Sequence, residues 1–66
     1  MRSSSNIRGY SYNEQEKTLD IQFNNGGTYR YKDVPQELYE GFNQAESLGR
    51  FLHANIKNKF ETVKLT

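Results

Sequence analysis

The chain of 66 residues holds no cysteine, a single proline and a single histidine, and nowhere does it run apolar for long. Without cysteine there is no disulfide staple and no thiolate metal site, which fits a reducing compartment. A cytoplasmic location is the expectation. No apolar stretch approaches the ~18 residues of a membrane span, and residues 1–20 lack the apolar core of a signal peptide. Neither membrane insertion nor export is expected. His53 has no second histidine or cysteine to share a metal, and no nucleophile stands in a pattern that would make a triad. The carboxylates are scattered, and spacing alone brings no two of them together. No cofactor is expected, and catalysis is disfavoured. There is no internal repeat.

What is present is enough for one small domain over residues 1–66, expected to be a monomer. A chain this short buries only roughly 60% of its unfolded surface, so the core is thin. The net charge of +1 conceals an asymmetry. Residues 1–9 carry only Arg2 and Arg8. Residues 10–46 carry Lys17, Arg30 and Lys32 against Glu14, Glu16, Asp20, Asp33, Glu37, Glu40 and Glu46. Residues 47–66 carry Arg50, Lys57, Lys59 and Lys64 against Glu61. A basic end of this kind points to an anionic partner, while a solvated charged face accounts for the same residues.

Hydrophobic spacing changes period around Gly27 to Pro35. Before it the period is 2, after it 3 to 4. Residues 1–5 are polar and serine-rich and should be mobile. Ile7 to Tyr12 reads as a first strand. A regular strand with Ile7 inward turns Tyr10 and Tyr12 outward; a bulge at Gly9 lets all three face the core and is the favoured arrangement. Thr18 to Phe23 is a strand with Leu19, Ile21 and Phe23 on one face.

The hairpin after it can be read to the residue. A two-residue Asn25-Gly26 turn would pair Ile21 with Arg30 and bury the arginine. A three-residue loop, Asn24-Asn25-Gly26, places Gly26 in the left-handed region and pairs Ile21 with Tyr29 and Leu19 with Tyr31. On the other face it sets Asp20 opposite Arg30. A slip by one residue would lose both benefits. Asp33-Val34-Pro35 then stops the strand and starts a helix with Val34, Leu38, Phe42 and Ala45 on one face. Gly41 weakens that helix or lets another backbone come close. Ser47 is the expected cap of a second helix, Leu48 to about Lys59, with Phe51, Leu52 and Ile56 buried. Phe60 to Leu65 returns as a last strand with Val63 and Leu65 inward. The fold class is α+β, a small antiparallel sheet in the order β-β-β-α-α-β with two helices packed on one face.

Several stretches resemble the KTSC domain, a module named for the C-terminus of some lysyl-tRNA synthetases and also found as stand-alone small bacterial proteins. They are Ser5-Asn6-Ile7, Tyr12-Asn13, Leu19-x-Ile21-x-Phe23, Gly26-Gly27-x-Tyr29-Arg30-Tyr31, Val34-Pro35, Tyr39-x-x-Phe42, Ala45-x-Ser47-x-Gly49-x-Phe51-Leu52, Ile56 and Phe60. The departures are Ser11 and Asn13, where the family has glycine and aspartate, and His53, where it often has asparagine. The resemblance implies no catalytic residues. It implies RNA binding only through the family's attachment to a tRNA-charging enzyme.

The candidate site follows from local chemistry. A capped helix start usually carries a carboxylate three residues after the cap, and here Arg50 stands there instead. Ser47, Gly49 and Arg50 with free backbone N–H groups can hold a phosphate. The same residues also read as a cap, a packing glycine and a solvated arginine. His53 and Lys57 follow Arg50 at spacings of three and four. Arg30 and Lys32 lie on the open sheet face, where Asp20 partly neutralises Arg30. Tyr29 and Tyr31 suit base stacking, though the hairpin register puts them under the helices. The expected function is a small binding module for RNA or other nucleic acid. The alternative is a protein-interaction or accessory domain using the open sheet face or a free edge.

Overall fold

A computed structural model describes residues 7–66, so the mobility expected of residues 1–5 lies outside the described residues. Three strands come first: β1 (Ile7–Asn13), β2 (Thr18–Phe23) and β3 (Thr28–Tyr31). Two helices follow, α1 (Gln36–Gln44) and α2 (Leu48–Phe51), the second continuing as a π-helical turn over Leu52–Ile56. A short β4 (Thr62–Lys64) closes the chain. The strands form one antiparallel sheet in the order β1-β2-β3-β4, and the fold is α+β as expected.

The hairpin between β2 and β3 has the three-residue loop. Phe23 N–H donates to Gly27 O at 2.8 Å, and Gly26 takes φ +96°, which costs glycine little. Ile21 pairs with Tyr29, Leu19 with Tyr31 and Asp20 with Arg30. In the first hairpin Ile7 pairs with Phe23 but Gly9 with Gln22, so a bulge sits between Ile7 and Gly9. Beyond it Tyr10 opposes Ile21 and Tyr12 opposes Leu19, so both tyrosines face the core with Ile7.

That face is covered by the helices. Leu19, Ile21, Val34, Phe42 and Ile56 are fully buried, and Tyr10, Tyr12, Tyr39 and Phe51 pack around them. Pro35 stands at the helix boundary in an extended conformation and α1 begins one residue later. Val34 N–H donates to Lys17 O at 2.8 Å, and Tyr12 Oη–H donates to Val34 O at 2.6 Å, so the start of α1 is tied to the first hairpin. Gly41 admits the Phe51 ring rather than a backbone: a Cβ there would stand 3.0 Å from Phe51 Cζ.

Three expectations are corrected. The second helix ends at Ile56 and not near Lys59, and its last turn is π-helical, with Lys57 N–H donating to Leu52 O at 2.6 Å. The buried residues of this helix are Leu48, Leu52 and Ile56, each four apart. At 3.6 residues per turn a spacing of four drifts around the helix, and a widened turn reduces that drift. Phe51 falls beside this stripe and is only half-buried. In β4, Val63 opposes Arg30 and therefore lies on the open face, while Thr62 and Lys64 oppose Tyr31 and Tyr29 on the helix side. Leu65 is 41% exposed. The pairing is held at its ends by Lys32 N–H to Glu61 O and Leu65 N–H to Thr28 O, both 2.8 Å, which leaves Val63 no inward position.

Candidate functional site

Where the π-helical turn ends and β4 is short, the helix layer stops before the sheet does. The gap is a cleft of about 350 Å³. Phe23, Tyr29, Tyr31 and Leu52 form its apolar part. His53, Lys57 and Asn58 stand on the helix side, with Asn25 and Thr62 at the ends. Among the described residues no carboxylate side chain lines it.

Each wall has a local cause. Tyr31, 5% exposed, lies at the inner end, and burial raises the pKa of its hydroxyl, with a smaller contribution from Tyr29. Tyr29 is half-buried and meets the Phe23 ring edge-on, centroids 5.6 Å apart at 77°. Gly27 leaves it room: a Cβ at that position would stand 3.2 Å from Tyr29 Cε1. On the other wall Lys57 turns extended, with ψ 132°, and Asn58 reverses the chain at φ +67°. Asparagine tolerates that left-handed region better than most side chains.

The residues singled out in the sequence separate into three places. His53 and Lys57 share the cleft. Ser47 Oγ accepts the Arg50 N–H at 3.3 Å and so acts as a cap. Gly49 has open space where a side chain would go, and the exposed Arg50 does not line the cleft. Arg30 is on the opposite sheet face, its guanidinium paired with both Asp20 oxygens at 2.9 and 3.1 Å. That hydrogen bond and the Asp20 charge raise its pKa. Lys32 pairs with Glu61 at 3.5 Å. Arg50, His53, Lys57, Lys59 and Lys64 form no ion pair among the described residues.

Sequence reasoning did not find Tyr29, Asn58 and Thr62 as neighbours of His53 and Lys57. The lining depends on where the helix stops. Asn58 as a left-handed residue after the last turn was the available signal. Among the described residues no group of three or more histidine, aspartate or glutamate side chains is placed to hold a metal, and no helix is long and apolar enough to cross a membrane.

The KTSC domain family model matches residues 3–60. The chain belongs to the KTSC domain family. A crystal structure of a KTSC domain protein from Yersinia pestis is 41% identical and superposes with a TM-score of 0.92, covering 97% of this chain and 90% of that one. A protein of Tsukamurella paurometabola is 39% identical over 62 residues, covering 94% of this chain and 92% of the relative. A lysine–tRNA ligase of Nostoc punctiforme is 36% identical over 60 residues, which are 91% of this chain and 11% of the ligase. In this KTSC domain the stretches that carried the resemblance are largely structural. Tyr31 and Val34 are core, Ser47 caps α2, and Phe51 fills the space left by Gly41.

Proposed function

We propose that this KTSC domain is a non-catalytic module that binds nucleic acid, RNA first of all, through the cations around the end of the second helix. One observation carries the reading. The cations of the C-terminal third stand without ion pairs among the described residues, whereas Arg30 and Lys32 are each paired. An unpaired cation can be neutralised by a phosphate without first giving up a partner. Lys64 shares the helix-side face with Tyr29, so it adds to Lys57 and His53 on one surface. A segment similar to this chain within lysine–tRNA ligases, which handle RNA, agrees with it.

Such a surface offers three or four phosphate contacts. Affinity should then fall with salt at a logarithmic slope of about −2 to −3, from ~0.7 per contact on a single strand. Titrating short RNA at rising salt measures it. Lys57→Glu should weaken binding about tenfold or more and Arg50→Glu several-fold, while Glu40→Lys, on α1, should change little. An absence of saturable binding at low salt, or a Lys57→Glu variant that binds like the parent, would remove this reading. A protein-binding role would then take its place, for which the seven-residue edge strand β1, paired among the described residues only with β2, is the specific support.

A further inference from the structure

The cleft is divided by chemistry. Tyr29, braced edge-on by Phe23, makes one wall, and His53 and Lys57 make the other. Its volume of about 350 Å³ lies near the lower end of the ~300–1,000 Å³ of small-molecule sites. That is room for one planar group, not for a nucleic-acid helix. The aromatic wall is held before any ligand arrives. Tyr29 is paired on one side with Ile21 and on the other with Lys64, and Gly27 seats its ring. The π-helical turn supplies the other wall. In a regular helix the Lys57 N–H would bond four residues back; here it reaches Leu52 O, five back, and the helix ends at the cleft. Asn25 Oδ1 accepts the Gly27 N–H at 3.0 Å, so its NH2 group is the part left to donate.

We propose that this cleft is a subsite for one unpaired nucleotide, its base laid against Tyr29 and its phosphate held by Lys57 and His53. The assignment rests on the nucleic-acid reading above and adds a preference for single strands. A duplex keeps its bases stacked on each other and can offer this surface only its phosphates.

The test compares an eight-nucleotide single-stranded RNA, the same strand annealed to its complement, and the same strand with abasic residues, all at one low salt concentration. The single strand should bind at least five- to tenfold more tightly than either of the others, as stacking of one base requires. Tyr29→Ala should lose that margin while duplex affinity stays as in the parent, and Tyr29→Phe should keep it. His53 is exposed, so His53→Glu keeps the fold and should weaken single-strand binding several-fold. Equal affinity for the abasic and base-bearing strands would overturn the subsite without any variant. So would a folded Tyr29→Ala that keeps the margin, or a His53→Glu that binds like the parent. If Lys57→Glu still weakens binding in those cases, only the subsite has failed. No binding of any RNA removes the subsite and the nucleic-acid reading together.

Discussion

Tyr12 does two jobs with one side chain. Its hydroxyl donates to Val34 O at 2.6 Å, and its ring stacks on Tyr39 with centroids 4.4 Å apart and planes 6° from parallel. The first ties β1 to the start of α1, and the second ties it to the middle of that helix. Tyr12→Phe keeps the stack and leaves the Val34 carbonyl without this donor, and should cost about 1 kcal/mol. Tyr12→Leu should cost more, because the aromatic pair adds about 0.5–1.5 kcal/mol beyond the area it buries. Urea unfolding of the two variants measures the difference; equal losses would mean that the stack contributes nothing. Tyr10 works alongside it, with its hydroxyl on the Asn43 side-chain oxygen and its ring edge-on to Phe42 at 5.0 Å. Three of the five tyrosines, Tyr10, Tyr12 and Tyr39, thus join sheet to helix, while Tyr29 is turned toward the cleft.

The two helices meet through Phe42, Gly41 and Phe51. Phe42 is fully buried and Phe51 half-buried, their rings 6.1 Å apart at 64°. Phe42→Ala should cost about 3–5 kcal/mol, enough to unfold most of so small a domain. Phe51→Ala removes a partly solvated ring and should cost less, about 1–3 kcal/mol. Thermal melts should therefore leave Phe51→Ala folded at room temperature and Phe42→Ala largely unfolded. Glycine makes a second comparison. Gly49→Ala adds a methyl into open space within a helix and should stabilise by up to ~1 kcal/mol. Gly41→Ala brings the same propensity gain but puts its Cβ 3.0 Å from Phe51 Cζ, so the ring must shift and the gain should vanish. If Gly41→Ala stabilises as much as Gly49→Ala, the contact between the helices is looser than described.

Across the whole molecule two hydroxyls, on buried Tyr31 and half-buried Tyr12, set a limit at alkaline pH. Burial raises the pKa of Tyr31, helped by Tyr29, and burial raises that of Tyr12, helped by the Glu14 charge. In the unfolded chain both titrate near 10. A folded pKa above the unfolded one means that the contribution is complete below pH ~10 and is lost as pH rises through the higher folded values. Melting temperatures should hold steady up to about pH 9.5 and then fall, and Tyr31→Phe should flatten that fall. A parent that melts alike at pH 9 and pH 11 would mean that neither hydroxyl is held back by the fold. Much of the architecture was legible in advance because local rules sufficed for it. The β2–β3 register follows from one glycine and from the cost of burying Arg30. The Gly9 bulge follows from the need to bring Ile7, Tyr10 and Tyr12 to one face. Pro35 and Ser47 mark where the helices begin. The candidate site was legible only in its basic residues, and of those only His53 and Lys57 meet at the cleft. The end of the second helix was hidden because a widened turn follows from keeping Leu48, Leu52 and Ile56 buried against a particular sheet. The facing of Val63 was hidden because β4 is three residues long, too short for its own alternation to set a register that long-range pairing with β3 decides. Sequence by itself determined the order of elements, the first two hairpins and most of the core, since each rests on backbone preferences within a few residues. Only the tertiary structure decided which cations stay unpaired and that Tyr29 faces Lys57 across a cleft, because those depend on distances between segments nearly thirty residues apart.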